Sequence, residues 1–324
     1  MKEDLLTVRN LKTYYFTSAG TVKAVDDVSL RVKRGDSVGL IGESGCGKSA
    51  LALSILRLVP YPGKTIGGTI LIDGKDVLKS SEEELRTMRG KKVSAVFQDP
   101  MTFLNPVMKV HDQISEALLV HRRVSKREAR RMAVEALETV RIPSPEEVAM
   151  YYPYQLSGGM RQRVLIAMSL ICNPSLLIAD EPTTALDATI QAQILELIRK
   201  LKKEVGISLL LVTHDLGIVA ETCDRCYVMY AGKIVESADV LTLFENPLHP
   251  YTKGLLQCVL SINEFKEELI SIEGGVPDLT DLPSGCSFNP RCPFAKEICQ
   301  ERAPSWSKAE RGHHVSCWLH SEES

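Results

Sequence analysis

Two segments of this 324-residue chain carry residue types and spacings suited to phosphate chemistry. The first, Gly42-Glu43-Ser44-Gly45-Cys46-Gly47-Lys48-Ser49, fits G-x-x-x-x-G-K-[ST] between an apolar run and a helical pattern. Its glycines let the backbone curl so that N–H groups point inward at phosphate oxygens, and the helix N-terminus adds partial positive charge. Gly42, Ser44, Gly45, Cys46 and Gly47 would line the phosphates. Lys48 would reach the β- and γ-phosphates, and Ser49 would ligate Mg²⁺. The second segment, Leu156-Ser157-Gly158-Gly159-Met160, lies over a hundred residues later and directly before another helical pattern. One nucleotide does not easily need both surfaces from one chain, so the pair points to a site shared between two chains.

The run Leu176-Leu177-Ile178-Ala179 ends in Asp180-Glu181. An acidic pair after an apolar strand is a weak signal alone and a strong one behind a phosphate loop. Asp180 sits where a carboxylate would hold Mg²⁺, and Glu181 could polarise an attacking water.

With these segments the chain resembles the ATP-binding cassette (ABC) ATPases over roughly residues 5–250. Gln98, after Lys91-Lys92-Val93-Ser94-Ala95-Val96-Phe97, resembles the family glutamine that contacts Mg²⁺ and the nucleophilic water. Residues 156–160 resemble the signature motif, and Asp180-Glu181 the acidic pair of the family. Ala185-Leu186-Asp187 matches the following loop, and His214 the switch histidine that senses γ-phosphate. Tyr15 resembles the aromatic that stacks on adenine, with Tyr14 and Phe16 as neighbouring alternatives. The resemblance implies an α/β fold: a RecA-like core, an antiparallel β subdomain and a helical subdomain at about 101–170. It also implies a head-to-tail dimer in which Ser157, Gly158 and Gly159 close over ATP held by the facing subunit. The signature departs from the commoner LSGGQ at Met160, but its polar and backbone donors are intact.

Four further stretches narrow the resemblance: Asp99–Pro106, LSGGMRQR, NPLHPYTKGLL and PSGCSFNPRCPFA. Together they resemble the ATPases of the dipeptide/oligopeptide/nickel importers. That subfamily implies two transmembrane permease subunits and an extracytoplasmic peptide-binding protein. It also implies a second ATPase subunit, either a copy or a paralogue, and a peripheral place on the cytoplasmic face of the membrane. Met101, Phe103 and Leu104 are candidates either for permease contact or for core packing. Nickel or another small solute is the alternative cargo. A soluble ABC ATPase for DNA maintenance or translation is the alternative class. It usually carries a coiled-coil insertion or a second cassette, and neither stands in this sequence.

Nine cysteines are spread unevenly, with Cys286, Cys292, Cys299 and Cys317 clustered near the end. Four thiolates can hold a [4Fe–4S] cluster or a tetrahedral Zn²⁺. The loose spacing and the subfamily tail favour the cluster, as a structural staple; His313 and His314 could join the ligands if zinc were bound. Cys223 and Cys226 read as core residues. Cys46 is expected to turn its thiol toward bound nucleotide and to be sensitive to alkylation.

The elements that must position these residues follow from periodicity. Residues 4–40 alternate apolar and polar positions and lead into a buried strand, Ser37–Ile41. A helix is expected from Lys48 to about Leu58, strands in GGTILIDGKDV and over Lys92–Gln98, and a charged helical stretch from Pro106 to about Val140. The basic residues in that stretch read as a solvated helix face and not a nucleic-acid surface. A helix near Ser157, a strand Ser175–Asp180, a helix Ala188–Val205 and a strand Ser208–Thr213 complete an alternation that means a parallel sheet covered on both faces. A cassette over 1–250 and an extension over 251–324 follow, the latter irregular, rich in Pro, Gly and Cys, and too short to bury much core. Formal net charge is -2, with 44% apolar and 25% charged residues, so no global field favours nucleic acid or an anionic membrane. No apolar h-region marks the N-terminus, and no apolar stretch reaches the ~20 residues that a bilayer requires.

Overall fold

The structure is a computed structural model that describes residues 3–184, 186–263, 272–310 and 312–321. Ala185, expected in the loop after the acidic pair, lies outside the described residues. β1 (Asp4–Thr17) and β2 (Gly20–Lys33) form an antiparallel hairpin, followed by β3 (Ser37–Ile41), buried at every position. α1 (Lys48–Ile55) follows the phosphate loop, and β4 (Gly63–Ile72) with β5 (Lys75–Asp76) completes a sheet of order β2-β1-β4-β5. α1 ends before Leu58 because Arg57 turns to φ 52, outside the helical region. α2 (Glu82–Met88) opens on a capping box between Ser81 and Glu84 and leads to β6 (Val93–Val96).

A helical block separates β6 from the next strand. It comprises α3 (Pro100–Phe103), α4 (Val110–His121), α5 (Lys126–Thr139), α6 (Pro145–Val148) and α7 (Gly158–Leu170). The helical stretch expected over 106–140 is two helices, because Ser125 leaves the helix and caps α5 by accepting the Glu128 N–H at 3.2 Å. The chain then alternates through β7 (Leu176–Asp180), α8 (Ala188–Val205), β8 (Ser208–Thr213), α9 (Leu216–Thr222) and β9 (Arg225–Tyr230). β10 (Lys233–Asp239), α10 (Val240–Glu245) and α11 (Pro250–Asn263) follow, and the tail adds α12 (Glu297–Glu301), β11 (Ser307–Glu310) and β12 (His313–Val315).

The second sheet has the order β11-β12-β10-β9-β3-β8-β7-β6, and its five strands from β9 to β6 are parallel. Strand alternation divides the core in two. Val38, Leu40, Ile178, Leu210 and Val212 face α1 and the antiparallel sheet. Ile41, Leu177, Ala179, Leu209 and Leu211 face the helices of the other layer, among them α7 and α8. The functional segments lie at the C-terminal ends of β3, β6, β7 and β8, the edge where α/β sheets hold ligands.

The tail departs from expectation. It is not merely an irregular addition, since β12 pairs with β10 through Glu236–Val315 and Ser237–His314 and so extends the main sheet. Strands of three and four residues are too short to show a periodicity in sequence.

Candidate nucleotide site

The phosphate loop spans the gap between β3 and α1, and its backbone is pressed against its surroundings. Gly47 holds φ 108, and a Cβ there would stand 1.9 Å from the carbonyl oxygen of Ala24. A Cβ on Gly42 would stand 2.2 Å from the carbonyl oxygen of Met229. The turn between β9 and β10 secures the loop from the same side, with the Gly232 N–H donating to the Cys46 carbonyl at 2.9 Å. Lys48, only 5% exposed, donates to the carbonyls of Gly42 at 2.7 Å and Glu43 at 2.9 Å. Its ammonium therefore sits inside the loop it would use to meet phosphate. The expectation for Cys46 fails. Its side chain is 0% exposed and packs in the core, and burial raises its thiol pKa, which disfavours the reactive thiolate; only its backbone N–H remains available to the loop.

At the end of β7, Asp180 is buried, and its Oδ1 has no hydrogen-bond partner. Burial raises its pKa against a hydrogen bond from Ser49 and the nearby charge of Lys48. An unpartnered, buried carboxylate oxygen beside a hydroxyl and a loop shaped for phosphate is a donor set that suits Mg²⁺.

Glu181 follows with φ 46, a left-handed conformation uncommon for a side-chain-bearing residue, which turns its carboxylate out of the strand. Three side chains meet that carboxylate. Gln98 Nε2 donates to Oε2 at 3.0 Å, Thr184 Oγ1 donates to Oε2 at 2.9 Å, and His214 Nδ1 lies 3.1 Å from Oε1. Burial alone would raise the Glu181 pKa, but the hydrogen bonds from His214 and Thr184 outweigh it and hold the carboxyl below its ordinary range. Gln98, Glu181 and His214, expected from sequence to work at one place, thus meet although they come from different strand ends. Thr184 was not foreseen, because nothing in Glu-Pro-Thr-Thr distinguishes it from Thr183.

The second Gly-rich segment stands on other elements. Ser157 caps α7, its Oγ accepting the Met160 N–H at 3.3 Å, and Ser157 and Gly158 are exposed. α7 packs on α3, α4, α5 and α8, whereas α1 packs on β1, β2, β7 and β8. Gly159 has a packing reason of its own, since a Cβ there would stand 2.7 Å from Ile190 Cγ2 on α8. Met160 packs against the core of the helical layer. Of the aromatics at the end of β1, Tyr14 donates to Asp26 at 2.6 Å, and the Tyr15 ring is half-buried with its edge toward Gly63. Phe16 is 47% exposed.

The tail cysteines correct the metal expectation in part. Cys286, Cys292, Cys299 and Cys317 are free thiols that all line one small cavity, with His249 and Phe288. Among the described residues, however, no three His, Cys, Asp or Glu side chains are placed to hold a metal ion. Burial keeps the thiols of Cys286, Cys292 and Cys317 above their usual pKa, that of Cys286 at about 11. The histidines named as substitutes are engaged elsewhere: His313 pairs with Glu236, and His314 stacks on Trp306 with 5.8 Å between ring centroids. Cys223 and Cys226 are packed as expected, the former with its thiol pushed up to about 12 by burial.

The chain resembles known proteins in both sequence and fold. Residues 25–184 match the family described as ABC transporter, and residues 235–299 match the oligopeptide/dipeptide transporter C-terminal region. A probable peptide ABC transporter ATP-binding protein of Sinorhizobium fredii is 50% identical over 320 residues, covering 98% of this chain and 96% of that relative. This chain belongs to the ABC transporter family. Another ABC relative, the dipeptide transport ATP-binding protein DppD of Bacillus subtilis, is 47% identical over 323 residues, 99% of this chain and 96% of its own. A dimeric bacterial ABC transporter cassette, MJ0796, superposes with TM-score 0.66 at 30% identity over 72% of this chain and 98% of that one. The same cassette as a post-hydrolysis dimer bound to ADP and phosphate gives 0.64. The mixed α/β ABC ATPase fold with its antiparallel sheet is therefore established here. Among the described residues, no helix is long and apolar enough to cross a membrane.

Proposed function

We propose that this ABC ATPase hydrolyses ATP to power the import of dipeptides or oligopeptides through a membrane permease. The observation that carries the reading is the carboxylate of Glu181, gathered with Gln98, Thr184 and His214 one residue beyond a buried Asp180 and beside a phosphate loop. The tail match and the full-length peptide-transport relatives supply the cargo class.

Lys48 leaves the loop carbonyls for the β- and γ-phosphates. Ser49, Asp180 and Gln98 would hold Mg²⁺, which when bound offsets triphosphate charge. Glu181 takes the proton of the attacking water, and His214 and Gln98 orient that carboxylate. The backbone N–H groups of Gly42, Ser44, Gly45, Cys46 and Gly47 cradle the phosphates, and Tyr15 stacks on adenine. Ser157, Gly158 and Gly159 act on ATP held by a facing subunit, a copy or a paralogue; the exposure of Ser157 and Gly158, and a helix packed on elements other than those that hold α1, support this. Two transmembrane permease subunits dock beside Gln98, on the cytoplasmic face, and an extracytoplasmic binding protein delivers cargo. Phe103, 48% exposed and stacked at 4.7 Å on Phe97, is the docking contact, whereas Leu104 is core and the Met101 side chain lies outside what is described. Uptake of labelled dipeptide, oligopeptide and nickel in cells with and without this chain tests the reading. Peptide uptake that depends on the chain supports it, and uptake of nickel alone replaces the cargo.

A second reading concerns the tail. Four thiols around one cavity, with the Lys296 N–H already donating to Cys299 Sγ at 3.4 Å, support a structural [4Fe–4S] cluster. One Zn²⁺ held by the same four sulfurs, with Zn–S bonds of ~2.3 Å, is the alternative. Iron and sulfide content of anaerobically purified protein decides between them; a colourless, zinc-containing sample overturns the cluster.

A further inference from the structure

Glu43 places a carboxylate in the loop that would bind a triphosphate, a like-charge liability unless something neutralises it. The structure supplies that partner from the far end of the chain. Arg291 meets Glu43 as a bidentate pair, Nη1 to Oε2 at 2.7 Å and Nη2 to Oε1 at 3.0 Å, with the Arg291 side chain only 5% exposed. Arg291 is itself fixed. It donates to the Glu273 carbonyl at 2.9 Å and the Ile272 carbonyl at 3.2 Å, and its guanidinium lies against the rings of Tyr230 and Phe288. The backbone of Glu43 is held as well, its N–H donating at 2.8 Å to the hydroxyl of Tyr251 on α11. Residue 43 is thus gripped by two elements outside the phosphate loop, and Arg291 directly precedes Cys292 of the tail cavity.

We propose that Arg291 is a positioning residue for the nucleotide site, holding and neutralising Glu43 so that the phosphate loop accepts a triphosphate. A bidentate guanidinium fixes direction as well as charge, and a lysine could not reproduce both. The inference rests on the reading that residues 42–49 bind ATP.

The test is binding of a fluorescent ATP analogue with Mg²⁺ to the full chain. Arg291→Ala weakens binding about tenfold, since an unpaired carboxylate then stands in the phosphate loop. Arg291→Lys recovers part of the loss, and added salt reduces it. Combining Arg291→Ala with Glu43→Gln restores affinity toward that of Glu43→Gln alone, because the offending charge has gone. A merely structural role would leave the double variant at least as weak as Arg291→Ala. Unchanged affinity in Arg291→Ala, or no rescue by Glu43→Gln, overturns the proposal. Failure of the wild-type chain to bind the analogue would instead overturn the nucleotide reading beneath it.

Discussion

His313 Nε2 stands 2.8 Å from Glu236 Oε1, and the two side chains are 1% and 0% exposed. The pair joins the tail strand β12 to β10, and the same carboxylate accepts the N–H groups of Leu248 at 2.7 Å and His249 at 2.9 Å. Three donors thus converge on one buried acid at the point where the tail enters the main sheet.

Glu236→Ala should therefore cost about 3–5 kcal/mol, because it strands buried donors without a partner. Glu236→Gln keeps acceptor capacity on one oxygen and should cost less. Chemical denaturation of the full chain measures both, and an alanine variant as stable as wild type would show that the pair does not anchor the tail.

At the site, Glu181→Gln should lower ATP turnover by at least about 10²-fold, the usual contribution of a general base. Binding of ATP should persist, since the phosphate loop is untouched. Steady-state hydrolysis by the assembled complex, with nucleotide binding in parallel, checks this; turnover near the wild-type rate would remove Glu181 from the chemistry.

Gly47→Ala tests the loop itself. The substitution sets a Cβ 1.9 Å from the Ala24 carbonyl oxygen at φ 108, so the backbone must shift. We expect a loss of about 1–3 kcal/mol in stability together with loss of nucleotide binding. A thermal melt with and without MgATP reads both at once, because only a binding-competent loop raises the melting temperature with ligand.

Stability should also fall in mild acid through His249. Burial lowers its pKa to about 3, and its Nδ1 accepts the Tyr251 N–H at 3.1 Å, so the folded state keeps the imidazole neutral. The unfolded chain binds that proton below about pH 6.5, so stability present above this value is lost as pH falls toward 3. The contribution is on the order of 1 kcal/mol per pH unit within the window. Denaturation at pH 7.5, 6 and 5 should show a steeper decline for wild type than for His249→Gln; equal slopes would remove His249 as the source.

The candidate nucleotide site was legible in sequence where its parts are local. The phosphate loop, the acidic strand end and the cap at Ser157 each need a few neighbouring residue types at a set spacing. Gln98 and His214 were marked only by the family resemblance, and the parallel sheet is what brings their strand ends to one edge beside Glu181. Thr184 could not be singled out, because hydrogen bonding to Glu181 depends on the turn after β7 and not on residue type.

The tertiary structure decided what long-range packing decides. Cys46 occupies a phosphate-loop position by sequence but faces the core, because Gly42 and Gly47 bring the loop down against Met229 and Ala24. Gly159 answers to Ile190 on another helix. The tail has no period to read, yet the His313–Glu236 pair and β12 make it the edge of the main sheet, and Arg291 reaches Glu43 across 248 positions of chain. Sequence by itself determined which residue types are suited to phosphate. Only the fold decided which of them come together and what holds them there, because the pairing of groups hundreds of residues apart leaves no spacing in the chain.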